Sequence, residues 1–315
     1  MRYHVPGSSP DHPEFLLQRF THRRRGLARL ATVATALTLS ATATGTAVAD
    51  APSASGPTDG TAPRAAEAAL KPTPTAPLFI LSGILPSGQM YAYLPNGTGG
   101  FDTRSGAYVW KGLKYAVSVD PDLTGYQDGA YHVMSNGVVN LWRGGNLKQV
   151  ATGWQQYTSV LSPGTLARAA HPDLLARDRQ GVLWRYQTRA NGTMAPRVKV
   201  GAGWNQYSQI TGVGDFSGDT RPDIVARDAQ GVLWLYKGTG DGRKPFAPRI
   251  RVGGGWNQFN KLVATGDVDA DGRSDLLARD PKGVLWLYKG TGKASAPFKA
   301  RVRIGAGWQQ YQNLF

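Results

Sequence analysis

Short apolar runs, set between Gly, Asp and Pro, dominate the chain from about residue 78 to its end. After Trp256 they fall at Lys261 to Thr265, Asp275 to Arg279, Val284 to Lys289 and Ala300 to Ile304, and each predicts a β-strand. The links Asp228 to Gly231 and Asp280 to Gly283 have the form Asp-x-x-Gly, in which Gly supplies positive φ for a tight hairpin. Strands joined in this way make a small antiparallel meander.

The meander recurs. Gly-Trp pairs stand at Gly153-Trp154, Gly203-Trp204, Gly255-Trp256 and Gly307-Trp308, spaced 50, 52 and 52 residues apart. Between them PDLLARD, PDIVARD and SDLLARD are followed by GVLWRYQ, GVLWLYK and GVLWLYK. Two degenerate units, Ile80 to Tyr93 and Tyr131 to Arg143, keep the Gly (Gly88, Gly137) and the hydrophobic run after it. Four-stranded meanders at this period predict an all-β fold, a five-bladed β-propeller of antiparallel blades over residues 77–315. Aligning Trp308 with Trp256 sets Phe315 opposite Val263, so the chain stops after one strand of a blade. Ile80 aligns with Asp275, a second strand, so the two termini share a blade and close the ring.

The N-terminal quarter reads differently. Arg23-Arg24-Arg25 and Arg29 precede an uncharged run from Leu30 to Ala49 that ends Ala47-Val48-Ala49, the form of an export signal over residues 1–49. Seven of those twenty residues are Thr or Ser, too polar for a membrane anchor. Arg24 to Arg29 resembles a twin-arginine signal without its usual aromatic residue. Residues 50–76 are mostly Ala, Pro, Thr, Ser and Gly with no aromatic residue, which predicts a disordered linker.

Composition narrows the chemistry. The absence of Cys excludes disulfides, thiolate metal sites and Cys nucleophiles. The formal charge is +15; the export segment carries six Arg against Asp11 and Glu14, so the remaining chain is +11.

The segments GDFSGDTRPDIV and GDVDADGRSDLL resemble the FG-GAP or VCBS repeats of integrin-type propellers and of many secreted bacterial proteins. The order G-G-W-N-Q-F, then G-V-L-W-L-Y-K-G, also resembles the five-bladed tachylectin-type lectins. The resemblance covers residues 78–315 and implies a propeller. Propellers host enzymes, adhesins and lectins alike, so function rests on the sites.

Three loops have the donors for calcium. Asp267, Asp269, Asp271 and Asp275 occupy positions 1, 3, 5 and 9, Gly272 permits the sharp turn at position 6, and the carbonyl of Arg273 completes the shell. The competing reading is an acidic turn held by Asx-type hydrogen bonds and partly neutralised by Arg273. Asp215, Ser217, Asp219, Arg221 and Asp223 repeat the spacing, with Thr220 in place of Gly, which disfavours positive φ. Asp120, Asp122, Thr124 and Asp128 form a third candidate, with Gly125 in register. The equivalent stretch Ser162 to Asp173 keeps only its final Asp, and no metal is expected there.

Trp184, Trp234 and Trp286, in mid-strand, are expected to fill the space between blades. Trp154, Trp204, Trp256 and Trp308, with Gln156, Gln206, Gln258 and Gln310 two residues on, are candidates for interface packing or for sugar stacking. Arg197/Lys199, Arg249/Arg251 and Arg301/Arg303 alternate with apolar residues on the fourth strands; they protect an edge or attract polyanions. After the export segment only His132 and His171 remain, and there is no nucleophile elbow, zincin, P-loop or dinucleotide motif. These features together imply a secreted, monomeric, calcium-binding, non-enzymatic module for a glycan. The alternative is an adhesive or structural propeller for an anionic cell-wall polysaccharide or a protein, with a hydrolase or lyase third; neither nucleic acid nor a membrane span is expected.

Overall fold

Each Asp-x-x-Gly link closes a two-strand hairpin in the expected way. Gly231 N–H donates to Asp228 O at 3.1 Å and Gly283 N–H to Asp280 O at 3.0 Å, with φ of 79° and 76° at the two glycines. The strands that these hairpins join belong to a computed structural model that describes residues 75–315. The export segment and residues 50–74 of the expected linker lie outside the described residues. Of the rest of that linker, Ala76 is buried and Thr75 Oγ1 donates to Gly272 O at 3.1 Å.

Five four-stranded antiparallel sheets follow one another along the chain. The second blade is β4 (Leu113–Val119), β5 (Gly129–Met134), β6 (Val139–Arg143) and β7 (Asn146–Ala151). The third is β8 (Tyr157–Gly164), β9 (Asp173–Asp178), β10 (Leu183–Gln187) and β11 (Val198–Gly201). The fourth is β12 (Tyr207–Thr211), β13 (Ile224–Asp228), β14 (Leu233–Tyr236) and β15 (Ile250–Gly253). The fifth is β16 (Lys261–Gly266), β17 (Asp275–Arg279), β18 (Leu285–Tyr288) and β19 (Val302–Gly305).

The first blade is shared by the two ends of the described chain. Its strands β1 (Leu81–Ile84), β2 (Gln89–Tyr93) and β3 (Ser105–Val109) are completed by β20 (Asn313–Leu314). Gly83 stands opposite Leu314 and Ile84 opposite Asn313, while Ser82 and Phe315 exchange both backbone hydrogen bonds, at 3.1 and 2.9 Å. Ring closure through both termini, expected from the phase of the repeat, is therefore observed.

The core lies between blades rather than within one. Leu174 and Ala176 of β9 pack with Trp154, Tyr157 and the inner residues of β4 to β6; Ile224 and Ala226 pack with Trp204, Tyr207 and Leu175; Leu276 and Ala278 pack with Trp256, Phe259 and Val225. A fourth cluster joins Leu277, Leu285 and Trp308 to Leu81 and Leu314. Each blade thus depends on its neighbours for burial, which is why the repeat must close or be capped.

The Gly-Trp pair makes the joint. Gly153, Gly203, Gly255 and Gly307 have φ between 80° and 88° and start single 3₁₀ turns, whose Trp N–H donates to the Gly carbonyl of the preceding hairpin. Trp110 N–H makes the same bond to Gly88 O at 2.8 Å. It is therefore the fifth entrance Trp, hidden in sequence because Val109 precedes it.

Candidate functional site

The three acidic loops share one backbone course. Positions 4 and 6 are both left-handed: Leu123 and Gly125, Gly218 and Thr220, Ala270 and Gly272. Thr220 has φ of 66°, so the substitution that disfavours this conformation is accommodated rather than avoided. Its N–H donates to Asp215 Oδ2 at 2.5 Å, a bond that holds the strained residue in place.

Each loop gathers three carboxylates whose nearest oxygens lie within 4.8 Å of one another: Asp120, Asp122 and Asp128; Asp215, Asp219 and Asp223; Asp267, Asp269 and Asp271. In the third loop Asp267 accepts from Asp271 N–H and Gly272 N–H at 3.1 and 2.8 Å, and Asp271 accepts from Arg273 N–H at 3.0 Å. Burial raises the Asp267 carboxyl to about 6, with Asp269 and Asp271 adding repulsion. Asp269 Oδ1 is buried with no hydrogen-bond partner, and so is Asp128 Oδ1. Closely set hard oxygens, two of them unpartnered, suit a divalent oxygen-seeking cation such as calcium.

Asp275, placed ninth in the expected ligand set, instead ties hairpins together. It accepts from Val268 N–H at 2.9 Å and Gly290 N–H at 2.7 Å, and burial raises its carboxyl to about 7. Asp223 has the same duty toward Phe216, Ser217 and Gly238 while remaining in its cluster. Ser217 Oγ and Thr124 Oγ1 bond Asp215 and Asp122, and Arg221 N–H donates to Asp219.

Protein cations also touch each loop. Arg143 reaches Asp128 at 3.0 Å, Lys237 reaches Asp219 at 3.1 Å and Lys289 reaches Asp269 at 2.8 Å, while Arg273 and Lys299 stand 3.6 and 3.8 Å from Asp271. The neutralisation by Arg273 named in the acidic-turn reading is thus present but long. In the depleted third-blade loop, Asp173 pairs at 2.6 Å with Arg185, which stands where Leu235 and Leu287 stand in the next two blades. A side-chain cation serves the one carboxylate left there.

The aromatic residues occupy two kinds of place. Trp154, Trp204, Trp256 and Trp308 are only 4–8% exposed, with ring centroids 4.6–4.8 Å from Tyr186, Tyr236, Tyr288 and Tyr93. Their faces are taken up by interface packing, and sugar stacking on these four rings is corrected accordingly. The mid-strand Trp184, Trp234 and Trp286 pack against the cores between blades, as expected, while remaining half-buried. Each donates its indole N–H to Asp178, Asp228 or Asp280 at 2.8–3.0 Å, and each carries a guanidinium over its ring: Arg197 at 4.0 Å, Arg249 at 4.1 Å and Arg301 at 4.4 Å. In the first blade Arg104 lies 4.3 Å over Tyr91, the residue in register with these indoles. This arrangement was not legible in sequence, because the two partners are 13 to 15 residues apart on different strands.

The expected glutamines belong to this edge site. Gln156, Gln206 and Gln258 are exposed and donate their amide N–H to Gly153, Gly203 and Gly255 carbonyls at 2.9–3.0 Å. The amide oxygens of Gln206 and Gln258 then accept from Arg249 and Arg301 at 3.0 and 2.5 Å. Arg197 and Arg249 also donate to the hydroxyls of Tyr157 and Tyr207. Gln310 is exposed at the equivalent place in the first blade. All six expected fourth-strand cations are exposed; the first of each pair is fixed on its Trp, whereas Lys199, Arg251 and Arg303 extend from the outer strand.

With this geometry in place, comparison with known proteins defines the class. The family profile described as an FG-GAP-like repeat matches residues 215–278, which contain the second and third acidic loops. The chain is thus a five-bladed β-propeller that carries an FG-GAP-like repeat. Among solved structures, AofleA from Arthrobotrys oligospora is similar at 13% identity over 76% of this chain and 72% of that one, with a TM-score of 0.45. Human WBSCR16 is similar at 10% identity over 73% and 66%, with a TM-score of 0.33. No curated protein sequence matches the chain.

Proposed function

We propose that this protein is a secreted, calcium-stabilised, non-catalytic module that binds glycans at sites repeated round its blades. The observation that carries the reading is the recurrence of one edge arrangement in three blades, a guanidinium held over a half-buried indole at 4.0–4.4 Å. The first blade has a Tyr version of it. Donors fixed beside an aromatic edge suit the hydroxyls and C–H faces of a sugar, and repetition multiplies a weak contact into avidity.

Calcium, when bound, supplies charge neutralisation and holds its loop closed. Asp267, Asp269 and Asp271 are the first residues to hold it, with Asp215, Asp219 and Asp223, and Asp120, Asp122 and Asp128, as further sets. The two described histidines are engaged in packing or backbone contact. His132 is buried against Trp110 at 4.0 Å between ring centroids, and His171 Nδ1 lies 2.9 Å from Pro121 O. Neither makes a hydrogen bond to a carboxylate. Among the described residues no helix is long and apolar enough to cross a membrane. A second reading, adhesion to an anionic wall polymer, is favoured by exposed Lys199, Arg251 and Arg303.

The test is a glycan array probed with the full chain in calcium and again in chelator, beside an Arg249→Ala/Arg301→Ala variant. Binding to a restricted set of glycans, weakened in the variant, is expected. No binding to any glycan, or a signal indifferent to both arginines, overturns the reading.

A further inference from the structure

The inner strands β4, β8, β12, β16 and β20 surround an axial cavity of about 130 Å³, whose lining includes Tyr115, Ser159, Lys261, Thr265 and Phe315. Lys261 opens β16 at the repeat position held by Tyr115, Ser159, Gln209 and Asn313 in the other blades, and of these five residues Tyr115, Ser159 and Lys261 line the cavity. They reach from blade to blade: Gln209 Oε1 accepts from Leu262 N–H at 2.7 Å, and Lys261 Nζ donates to Asn313 Oδ1 at 2.6 Å.

Further cations lie just outside. Arg177, Arg227 and Arg279 pair in register with Ser159, Gln209 and Lys261. Each guanidinium donates through Nη1 to two carbonyls of the next entrance turn, those of Trp204 and Tyr207, Trp256 and Phe259, and Trp308 and Tyr311. Lys114 Nζ does the same to Tyr157 O at 2.6 Å. Among the described residues none of these five cations takes part in an ion pair. The neighbouring carboxylates of Asp178, Asp228 and Asp280 are turned to the outer indoles, as strand alternation requires.

The cavity lining contains no Asp or Glu side chain. Phe315, at the chain end, accepts from Ser82 N–H through its carbonyl oxygen and is not ion-paired with Lys261. Burial, with Arg279 nearby, brings the Lys261 ammonium down to about 8, the mark of a cation short of counter-charge. An ammonium has three donors, and Asn313 uses one.

We propose that this cavity binds a small oxyanion, a carboxylate or a sulfate, with Lys261 as its ion-pair partner. The two remaining donors of Lys261 meet the anion, and the surrounding cations, fixed on backbone carbonyls, supply a field that no Asp or Glu side chain of the lining cancels. The proposal does not depend on the glycan reading of the blade edges.

The test uses the full chain labelled biosynthetically with carbon-13 at the lysine Cε, which leaves the three N–H donors of each ammonium in place. The Lys261 resonance is identified by its loss in Lys261→Gln, and sodium sulfate and sodium acetate are titrated in separately at constant ionic strength. Saturable movement of the Lys261 signal by either anion, at a concentration at least tenfold below that which moves Lys282 on its exposed hairpin, supports the site. The responding anion names the class. A Lys261 signal that moves linearly and no more than that of Lys282 overturns it. If Lys261→Gln does not fold, Lys261→Arg identifies the resonance equally well, because the titration itself is read on the parent protein.

Discussion

Gly231 sits where a hairpin tip of the fourth blade touches the entrance turn of the fifth. A Cβ there would lie 2.8 Å from Asn257, whereas one on Gly144 would meet nothing within 4 Å, although both glycines have positive φ. Gly144→Ala is expected to cost about 1 kcal/mol for the backbone alone, and Gly231→Ala at least about 1 kcal/mol more, because the turn must move. Denaturant unfolding of the two variants checks the difference. His132 makes a second prediction at this scale. Burial lowers its imidazole to about 4, so the folded state contributes stability at pH 7 that is lost as pH falls from the unfolded value of 6.5 toward 4. His132→Phe removes that loss. The buried carboxylates titrate in both proteins and cancel, so the stability of the variant relative to the parent should rise by on the order of 3 kcal/mol across that range. A difference that stays flat with pH would show that His132 is not held neutral.

Among elements, β20 carries the most consequence for its length. Leu314 is fully buried between the fifth and first blades, and Leu314→Ala should cost about 2–5 kcal/mol. Leu147 on β7 is 52% exposed, and Leu147→Ala should cost under about 0.5 kcal/mol. Thermal unfolding of both variants compares them. The closing strand was legible because a repeat that starts and stops out of phase has one geometric solution. The acidic loops were legible as carboxylate spacing, but the separation of Asp275 from its cluster was not, since it depends on Gly290, which reaches the loop from the far side of the next hairpin. The edge site escaped for a similar reason. Arg249 and Trp234 meet only because β14 and β15 pair with a bulge between Leu233 and Trp234, and no local pattern announces that register. Trp110 escaped because the repeat retains its hydrogen bond but not its Gly.

At the scale of the whole ring, two of the acidic loops flank the incoming N-terminal segment. Pro77 O accepts from Asp267 N–H at 2.7 Å, and Leu78 N–H donates to Gly125 O at 2.8 Å. Order in these loops is therefore coupled to the segment from which the propeller begins. Calcium at a hundredfold excess over its dissociation constant should stabilise the fold by about 2.7 kcal/mol per site, several degrees in Tm. Asp271→Ala should weaken that effect more than Asp122→Ala, because the Asp122 carboxylate already accepts from both the N–H and the hydroxyl of Thr124. The repeated edge sites are the centre of the proposed function, and calorimetric titration of the full chain with its best array glycan, in calcium, tests them. A stoichiometry of three to four glycans per chain is predicted from the three Trp sites and the Tyr91 site, falling by about two in Arg249→Ala/Arg301→Ala. One glycan per chain, unchanged by the double substitution, would contradict it.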